Sequence, residues 1–268
     1  MKVQSLGHRT DLIFPRFDGE IIDRGDYLVI LTPSNPTYYW GNYLLFARPP
    51  GQNNLHTWKE LFHREIGSRQ KAEHFAFGWD TVTGEQGEVQ PFLADGFNLT
   101  ETVVLTTDRV QPPPKVNQEV SIRPIETDDE WEQAIQNQVA CRSPEFGRAG
   151  YEIFKRAQMA RYRRMTRAGL GAWFGAFVGE RLAADLGVFT SGNLGRFQQV
   201  GTHPDFRRRG ICGTLVYRAS RYAFEQMAVN TLVMLADENY HAARIYESVG
   251  FQPRERQAQL DWWDESTV

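Results

Sequence analysis

The sequence has little cysteine, no long hydrophobic run and no large excess of one charge. Its two cysteines, Cys141 and Cys212, have neither the spacing of a metal site nor that of a disulfide framework, so we expect no metal and a reducing, cytoplasmic environment. The apolar stretches are only strand-sized, and we expect neither a membrane span nor a secretory leader. A net charge of −3 gives no general attraction to nucleic acid or to anionic lipid.

What the chain does have is enough apolar residues for a substantial core, 41% of 268 residues. Its clearest internal break is the proline run Pro112–Pro114, which Lys115 follows. Three consecutive prolines cannot join a helix interior or a central strand, and they favour an extended spacer. We therefore predict two domains, residues 1–115 and residues 116–268.

The hydrophobic pattern of residues 116–268 predicts an α/β (α+β) fold, in which a mixed central sheet has helices on both faces. A capping box at Thr127–Glu130 marks the start of the first helix. The predicted strands are Glu119–Ile125, Trp173–Val178, Leu182–Phe189, Gly195–Gly201, Thr231–Leu235 and Glu255–Trp262. The predicted helices are Thr127–Ala140, Tyr151–Arg167, Gly210–Met227 and His241–Val249.

Residues 1–115 look like a partial copy of the same plan. The offset between the copies is 154 residues, as between Gly41 and Gly195. The other matched landmarks are Pro50 with Pro204, Phe92 with Tyr246, Gly96 with Gly250 and Phe97 with Phe251. We predict a partial, degenerate structural repeat that lacks the leading helix pair of the second copy.

An arginine- and glycine-rich turn lies between a predicted strand and a predicted helix, within residues 200–215. Three arginines, Arg207–Arg209, come directly before Gly210. The first turn of a helix has N–H groups without partners inside the helix, its dipole favours an anion, and glycine lets a ligand approach the backbone. The turn therefore predicts a pyrophosphate site, although arginines beside a helix start are also common on a solvated surface.

A second block of motif residues lies further along the chain, between Asn239 and Phe251. Together the two blocks resemble those of the GNAT superfamily of acyl-CoA-dependent N-acetyltransferases, and the resemblance covers residues 118–262. The family's turn, Arg/Gln-x-x-Gly-x-Gly/Ala, is matched by Arg207, Gly210 and Cys212, with cysteine in place of the usual glycine or alanine. The family's later block, Asn-x-x-Ala-x-x-x-Tyr-x-x-x-Gly-Phe, is matched by Asn239, Ala242, Tyr246, Gly250 and Phe251.

The resemblance implies that acetyl-CoA is the acyl donor and that the acceptor is an amine on a small molecule or a peptide. It implies that Asn239 contacts the cofactor arm and that Tyr246 lies beside the CoA sulfur, where a phenol can protonate the leaving thiolate. Backbone N–H groups near Val200 and Gly201 would stabilise the oxyanion. The implied acyl-CoA contacts are Val200, Gly201, Arg207, Arg208, Arg209, Gly210, Ile211, Cys212, Gly213, Thr214, Asn239 and Ala242.

The general base is the part of the mechanism that the sequence leaves open. Many members of the family carry a glutamate on the strand before the turn, where this chain has Gln198 and Gln199. Asp185 and Asp237 are weak candidates for the base, and each is more often a structural carboxylate. No residue resembles an acyl-carrying nucleophile, so we predict direct attack by the amine in a ternary complex.

The first copy lacks both chemical blocks. Pro49 and Pro50 remove N–H donors from its turn, and Phe92, at the place of Tyr246, has no proton to give. We therefore predict that residues 1–115 form a degenerate, non-catalytic partner. A non-catalytic CoA-binding or regulatory protein and a transferase for a longer acyl chain stay open as alternatives, and so does a homodimer.

The predicted helix Tyr151–Arg167 is rich in basic side chains. They are Lys155, Arg156, Arg161, Arg163, Arg164 and Arg167. We expect these side chains to form a solvated face, with an acidic acceptor or RNA as the alternative partners.

Overall fold

The computed structural model describes residues 1–36, 38–70, 72, 74–144, 146–237 and 242–263. The chain forms two compact units. The first unit holds residues 1–104 and the strand segment from Arg254 onward, and the second unit holds residues 105–253.

The first unit is a sheet with short helices, numbered here in chain order. Its strands are β1 (Glu20–Asp23), β2 (Tyr27–Leu31), β3 (Tyr43–Phe46), β4 (His74–Trp79), most of β5 (Asn98–Thr107) and most of β11 (Gln252–Trp263). Its helices are α1 (Leu6–Asp11), α2 (Ile13–Asp18), α3 (Asn54–Phe62), α4 (Ser68–Gln70) and α5 (Gln90–Ala94). The strand order is β1-β2-β3-β4-β11-β5, in which β3 and β4 are parallel.

Aromatic side chains fill the core of the first unit. Trp58 on α3 stacks on Phe46, with ring centroids 3.8 Å apart. Phe92 on α5 is fully buried and packs edge-on against Phe97 at 5.4 Å. All six residues of β4 are buried, as expected of a central strand that is covered on both faces. Phe92, which the offset of 154 residues matches with Tyr246, therefore occupies a core position.

The second unit alternates strands and helices as the hydrophobic pattern predicts. Its further strands are β6 (Ser121–Pro124), β7 (Gly171–Val178), β8 (Arg181–Ser191), β9 (Leu194–Thr202) and β10 (Thr231–Asp237). Its helices are α6 (Asp128–Ala140), α7 (Arg148–Arg167), α8 (Ile211–Gln226) and α9 (Ala242–Val249). Within the described part of the chain, no helix is both long and apolar enough to cross a membrane.

The sheet of the second unit is mixed. Its strand order is β10-β9-β8-β7-β6. Strands β9 and β10 are parallel, whereas the pairs from β9 to β6 are antiparallel. A parallel pair needs a crossover connection, and α8 provides it. The predicted mixed α/β fold is thereby confirmed.

The two units repeat one order of elements, as the constant offset predicts. In the first copy of the repeat the order is β3, α3, β4, α5 and β5, and in the second copy it is β9, α8, β10, α9 and β11, although most of β11 belongs to the first unit. The first pair of strands is parallel in both copies. One detail of the prediction was wrong, since the short helices α1 and α2 precede β1 in the first unit.

The division between the units differs from the predicted boundary at residue 115. The proline run lies inside the second unit, and the last strand belongs mostly to the first. The reason is strand pairing, because β11 runs antiparallel to β4 from Gln259 opposite Gly78 to Trp263 opposite His74. Such a long-range pairing leaves no local trace in the sequence.

The capping box of α6 provides a direct test of this local structure. The Thr127 hydroxyl accepts a hydrogen bond from the Glu130 N–H at 3.2 Å, and the Glu130 carboxylate accepts one from the Thr127 N–H at 3.1 Å. We expect Thr127→Ala to lower the free energy of unfolding by about 1 kcal/mol, because an N–H at the helix start loses its partner. Urea unfolding measures this change. Thr127→Ser, which keeps the hydroxyl, is the control, and equal stability of the alanine variant and the wild type would contradict the assignment.

Candidate active site

A cavity of about 560 Å³ lies in the second unit, beside the end of β9, the start of α8 and the helix α9. Its walls bring together residues from the proline run, from the arginine-rich turn and from the second motif block. The lining residues are Pro113, Pro114, Lys115, Cys141, Val200, Gly201, Thr202, Phe206, Arg207, Arg208, Gly210, Ile211, Cys212, Gly213, Ile245, Tyr246 and Ser248. The arginine-rich turn and Tyr246 thus face one space.

The turn owes its shape to two left-handed backbone conformations. Gly210, the N-cap of α8, has φ +79°, and Arg208 has φ +64°. A Cβ at Gly210 would lie 2.5 Å from the carbonyl oxygen of Lys115, so only glycine fits there. Because glycine has no side chain to cap the helix, the N–H groups of the first turn remain available to an anion.

Not every arginine of the turn faces the cavity. Arg207 and Arg208 line it, and Arg207 also donates from Nε to the carbonyl of Thr202 at 3.2 Å. Arg209 is not among the lining residues, and it donates to the carbonyl of Asp205 at 3.1 Å and lies over the Phe206 ring. Two of the three arginines of the turn therefore line the cavity.

Thr214, which the resemblance placed among the cofactor contacts, has a structural position. It is buried, and its hydroxyl donates to the Gly210 carbonyl at 2.8 Å. The hydroxyl oxygen of Thr214 also accepts a hydrogen bond from the Asn117 N–H at 2.9 Å. The hydroxyl thus ties α8 to the segment after the prolines. Of the two remaining implied contacts, Asn239 lies outside the described residues and Ala242 begins α9.

The proline segment is a wall of the cavity, which the sequence interpretation missed by treating it as a spacer. Lys115 donates from Nζ to the carbonyl of Arg208 at 3.0 Å, and Asn117 donates from Nδ2 to the carbonyl of Arg209 at 2.9 Å. Pro113 is buried, and a Cβ on Gly213 would lie 3.1 Å from it. The only local signal for this role is a lysine directly after three prolines.

Tyr246 lies on helix α9 and is only 6% exposed. The helix ends at Gly250, whose φ of +117° lets the chain turn back, and the Phe251 N–H bonds the Tyr246 carbonyl at 3.2 Å. Phe251 then packs edge-on against Phe197 of β9 with centroids 5.7 Å apart. The glycine and phenylalanine of the second block therefore fix the helix that carries the tyrosine.

The two candidate bases are not part of the cavity wall as described. Asp185 is fully buried on β8, where its carboxylate accepts hydrogen bonds from Asn137, Gln138 and the Trp173 indole. Burial raises the pKa of Asp185 to about 7 against the opposing effect of these donors. Asp237 is exposed at the end of β10. Neither carboxylate reaches the cavity directly in this conformation.

Both cysteines line the cavity as neutral thiols. Burial raises the pKa of Cys141 and of Cys212 to about 11, so neither forms a thiolate near neutral pH. Cys141 also donates from Sγ to the Thr202 carbonyl at 3.3 Å. A neutral thiol is a poor nucleophile, which argues against an acyl-enzyme on either residue. Among the described residues, no cluster of histidine, cysteine and carboxylate side chains is placed to hold a metal.

The basic helix α7 differs from the predicted solvated face. Lys155 and Arg161 are buried, whereas Arg156 is half-exposed and pairs with Glu132 at 2.7 Å. Burial lowers the pKa of Lys155 to about 7. A helix that is polar in sequence thus directs two of its basic side chains into the interior.

Comparisons with known proteins bear on the fold of the chain. Among curated proteins, none matches the chain significantly in sequence. A functionally unknown conserved protein from Staphylococcus epidermidis has a similar structure, with a TM-score of 0.70, 14% identity, and coverage of 94% of this chain and 98% of that one. A GCN5-related N-acetyltransferase from Kribbella flavida has a TM-score of 0.66 and 13% identity, with 96% of each chain covered.

A tandem GNAT protein from the clavulanic acid biosynthesis pathway is also similar, with a TM-score of 0.52 and 16% identity, over 76% of this chain and 66% of that one. At these identities the likenesses show a shared fold, and they extend it to the first unit. The acetyltransferase (GNAT) family model matches residues 131–251, which lie within the second unit. Within the second unit, the chain is therefore similar to the GNAT acetyltransferase family over these residues.

Proposed function

We propose that the second unit transfers an acetyl group from acetyl-CoA to a primary amine by direct attack in a ternary complex. The observation that carries this proposal is the single cavity lined by both the Gly210 turn and Tyr246. One side of the cavity suits a pyrophosphate, and the other offers a phenol. Acyl transfer from CoA needs both, because the donor must be held by its phosphates while its sulfur departs as a thiolate.

The phosphates of the donor would bind at the start of α8. The backbone N–H groups of Ile211, Cys212 and Gly213 lie in the first turn of the helix, where the dipole favours an anion. The side chains of Arg207, Arg208 and Lys115 add positive charge to the same wall. These residues fit a CoA pyrophosphate without a metal ion.

The chemical step requires one bond to form and one to break. The neutral amine nitrogen attacks the thioester carbon, the new C–N bond forms, and the C–S bond breaks as the tetrahedral intermediate collapses. Backbone N–H groups at Val200 and Gly201 would stabilise the oxyanion. Tyr246 would give its phenolic proton to the departing thiolate, the amine proton would pass to solvent, and the phenolate would regain a proton from solvent before the next turnover.

The acceptor is proposed only as a class, an amine on a small molecule or a peptide. Because neither Asp185 nor Asp237 lines the described cavity, we propose that the amine enters already neutral. A base acting through water would also satisfy the geometry. Two unpaired cysteines, Cys141 and Cys212, are compatible with a reducing compartment, and we propose a cytoplasmic location.

A second candidate is a CoA-binding protein without turnover. The observation that favours it is the lack of a carboxylate among the described lining residues, which leaves the amine without a direct base. Calorimetry with acetyl-CoA and steady-state assays over a panel of amines separate the two functions. Binding without turnover would favour the second candidate, and faster turnover with propionyl-CoA or succinyl-CoA would indicate a longer acyl donor.

The phosphate assignment can be tested with a charge at the start of α8. Cys212 lines the cavity in the first turn, where an aspartate is compatible with the helix dipole but would repel a bound phosphate. We expect Cys212→Asp to raise the Kd for acetyl-CoA about tenfold or more, equivalent to about 1.4 kcal/mol. Calorimetry measures this change. The neutral variant Cys212→Ser is the matched control and should bind within about threefold of the wild type. Equal Kd values for the two variants would contradict a phosphate at this position.

The role of Tyr246 can be tested by removing only its hydroxyl. We expect Tyr246→Phe to lower kcat by about 100-fold, as for loss of a general acid, while the Kd for acetyl-CoA changes little. The ring still fills its nearly buried position in α9, so stability should hold. Stopped-time assays of thiol release at neutral pH measure the rate. A kcat within about twofold of the wild type would exclude Tyr246 as the acid.

A further inference from the structure

Lys155 carries a buried amine that the proposed chemistry does not use. Its side chain is 1% exposed, and its Nζ donates to Gln158 Oε1 at 2.8 Å and to Gln199 Oε1 at 3.0 Å. The rings of Tyr151 and Phe154 lie 5.2 Å and 5.0 Å from Nζ. In the described part of the chain, no carboxylate lies within ion-pair distance of it. Such a group destabilises a fold unless its contacts compensate.

The partner that lies on the sheet, Gln199, has an unusual backbone. Its φ is +53°, in the left-handed region that disfavours every residue with a Cβ. The pairing of β8 with β9 shifts register here, between Asp185 opposite Gly201 and Gly187 opposite Gln198. The strand therefore bulges at Gln199 and Val200, and Val200 lines the cavity. A strained conformation of this kind persists only where its surroundings hold it.

Side chains from α6 also hold the bulge. Gln138 donates from Nε2 to the Gln199 carbonyl at 2.8 Å, and Asn137 donates from Nδ2 to the Gly201 carbonyl at 3.3 Å. Both amides also donate to Asp185, which fixes their orientation. A Cβ on Gly201 would lie 3.0 Å from Gln138 Nε2, so these groups pack directly behind the strand. Lys155 completes this layer by holding the Gln199 side chain.

We infer that Lys155 is a positioning residue, which acts through Gln199 to hold the bulge so that the backbone at Val200 and Gly201 faces the thioester oxygen. This inference rests on the proposed function, because it concerns the same oxyanion site. Lys155 is not among the cavity-lining residues and so would not touch the substrate itself. Lys155 would instead fix the geometry of the backbone that touches the substrate.

The first arm of the test replaces the buried amine with an apolar side chain of similar length. We expect Lys155→Met to lower kcat about tenfold or more, because misplaced oxyanion donors lose transition-state stabilisation. The Kd for acetyl-CoA should stay within about twofold, since the phosphate wall is elsewhere. The free energy of unfolding should change little, because removal of a desolvated amine offsets the loss of the donor to two amide oxygens.

The matched control is Met159→Ala on the same helix. Met159 is a buried core residue of α7. Its truncation should lower the stability through a cavity and leave kcat within about twofold. The pair of variants thus separates a catalytic effect from a packing effect. Lys155→Met should lower kcat with little loss of stability, whereas Met159→Ala should lower the stability with little change in kcat.

The second arm tests the route through Gln199. Glycine adopts a positive φ without strain, so Gln199→Gly keeps the bulge accessible while removing the acceptor of Lys155. We expect this variant to lose kcat as Lys155→Met does, and the double variant to lose no more than either single one. Additive losses of kcat in the double variant would overturn the route through Gln199. If Lys155→Met fails to fold, Gln199→Gly alone tests whether loss of this contact lowers kcat.

The third arm needs no turnover. Hydrogen exchange of the backbone over residues 198–202 should be about tenfold faster in Lys155→Met than in the wild type, and unchanged in Met159→Ala. Unchanged exchange overturns the inference, and so does an unchanged kcat in an active enzyme. If the wild type acetylates no amine while exchange still quickens, the proposed function fails and the inferred support of the bulge stands.

Discussion

The backbone path from β9 into α8 is the constraint on which the candidate site depends. The chain leaves a strand and enters a helix through the left-handed residues Arg208 and Gly210, and Gly210 lies against the Lys115 carbonyl, where a Cβ has no room. This path aims the first N–H groups of α8 at the cavity. The segment after the prolines braces the path from outside, by hydrogen bonds from Lys115 and Asn117 to the turn carbonyls. Steric contact and hydrogen bonds therefore hold the turn that lines the cavity in one conformation.

The two units show how one plan can give a filled core or a cavity. In the first unit the residue matched to Tyr246 is Phe92, which is fully buried against Trp58, Phe77 and Phe97. Apolar rings pack around Phe92 at that position. In the second unit the matched tyrosine borders an open space of about 560 Å³. The difference lies in a few side chains, while the order of strands and helices is the same.

Local features of the sequence predicted much of this structure. The capping box at Thr127, the glycine at position 210 and the spacing of the second block each depend on residues close together in the chain, and the structure has them as helix start, turn and helix end. The strands and helices of the second unit follow their hydrophobic periods for the same reason. The assignment of chemical roles to the site residues stays a prediction.

Features that depend on distant residues were not predictable. The unit boundary follows from pairing of β11 with β4, which are far apart in the chain. The burial of Lys155 in an arginine-rich helix depends on a glutamine of β9, and that of Asp185 depends on amides of α6. A hydrophobic pattern treats such polar residues as solvated, because it contains no information about partners that satisfy them in the interior.

The position of β11 has a consequence for how the chain matures during synthesis. The ribosome releases all of residues 105–253 before the strand segment from Arg254 that lies between β4 and β5 in the first unit. The second unit can therefore close while the first still has a gap in its sheet. During that interval β4, all of whose residues are buried in the finished protein, is an unpaired apolar edge. The half of the protein that is translated first is thus completed last.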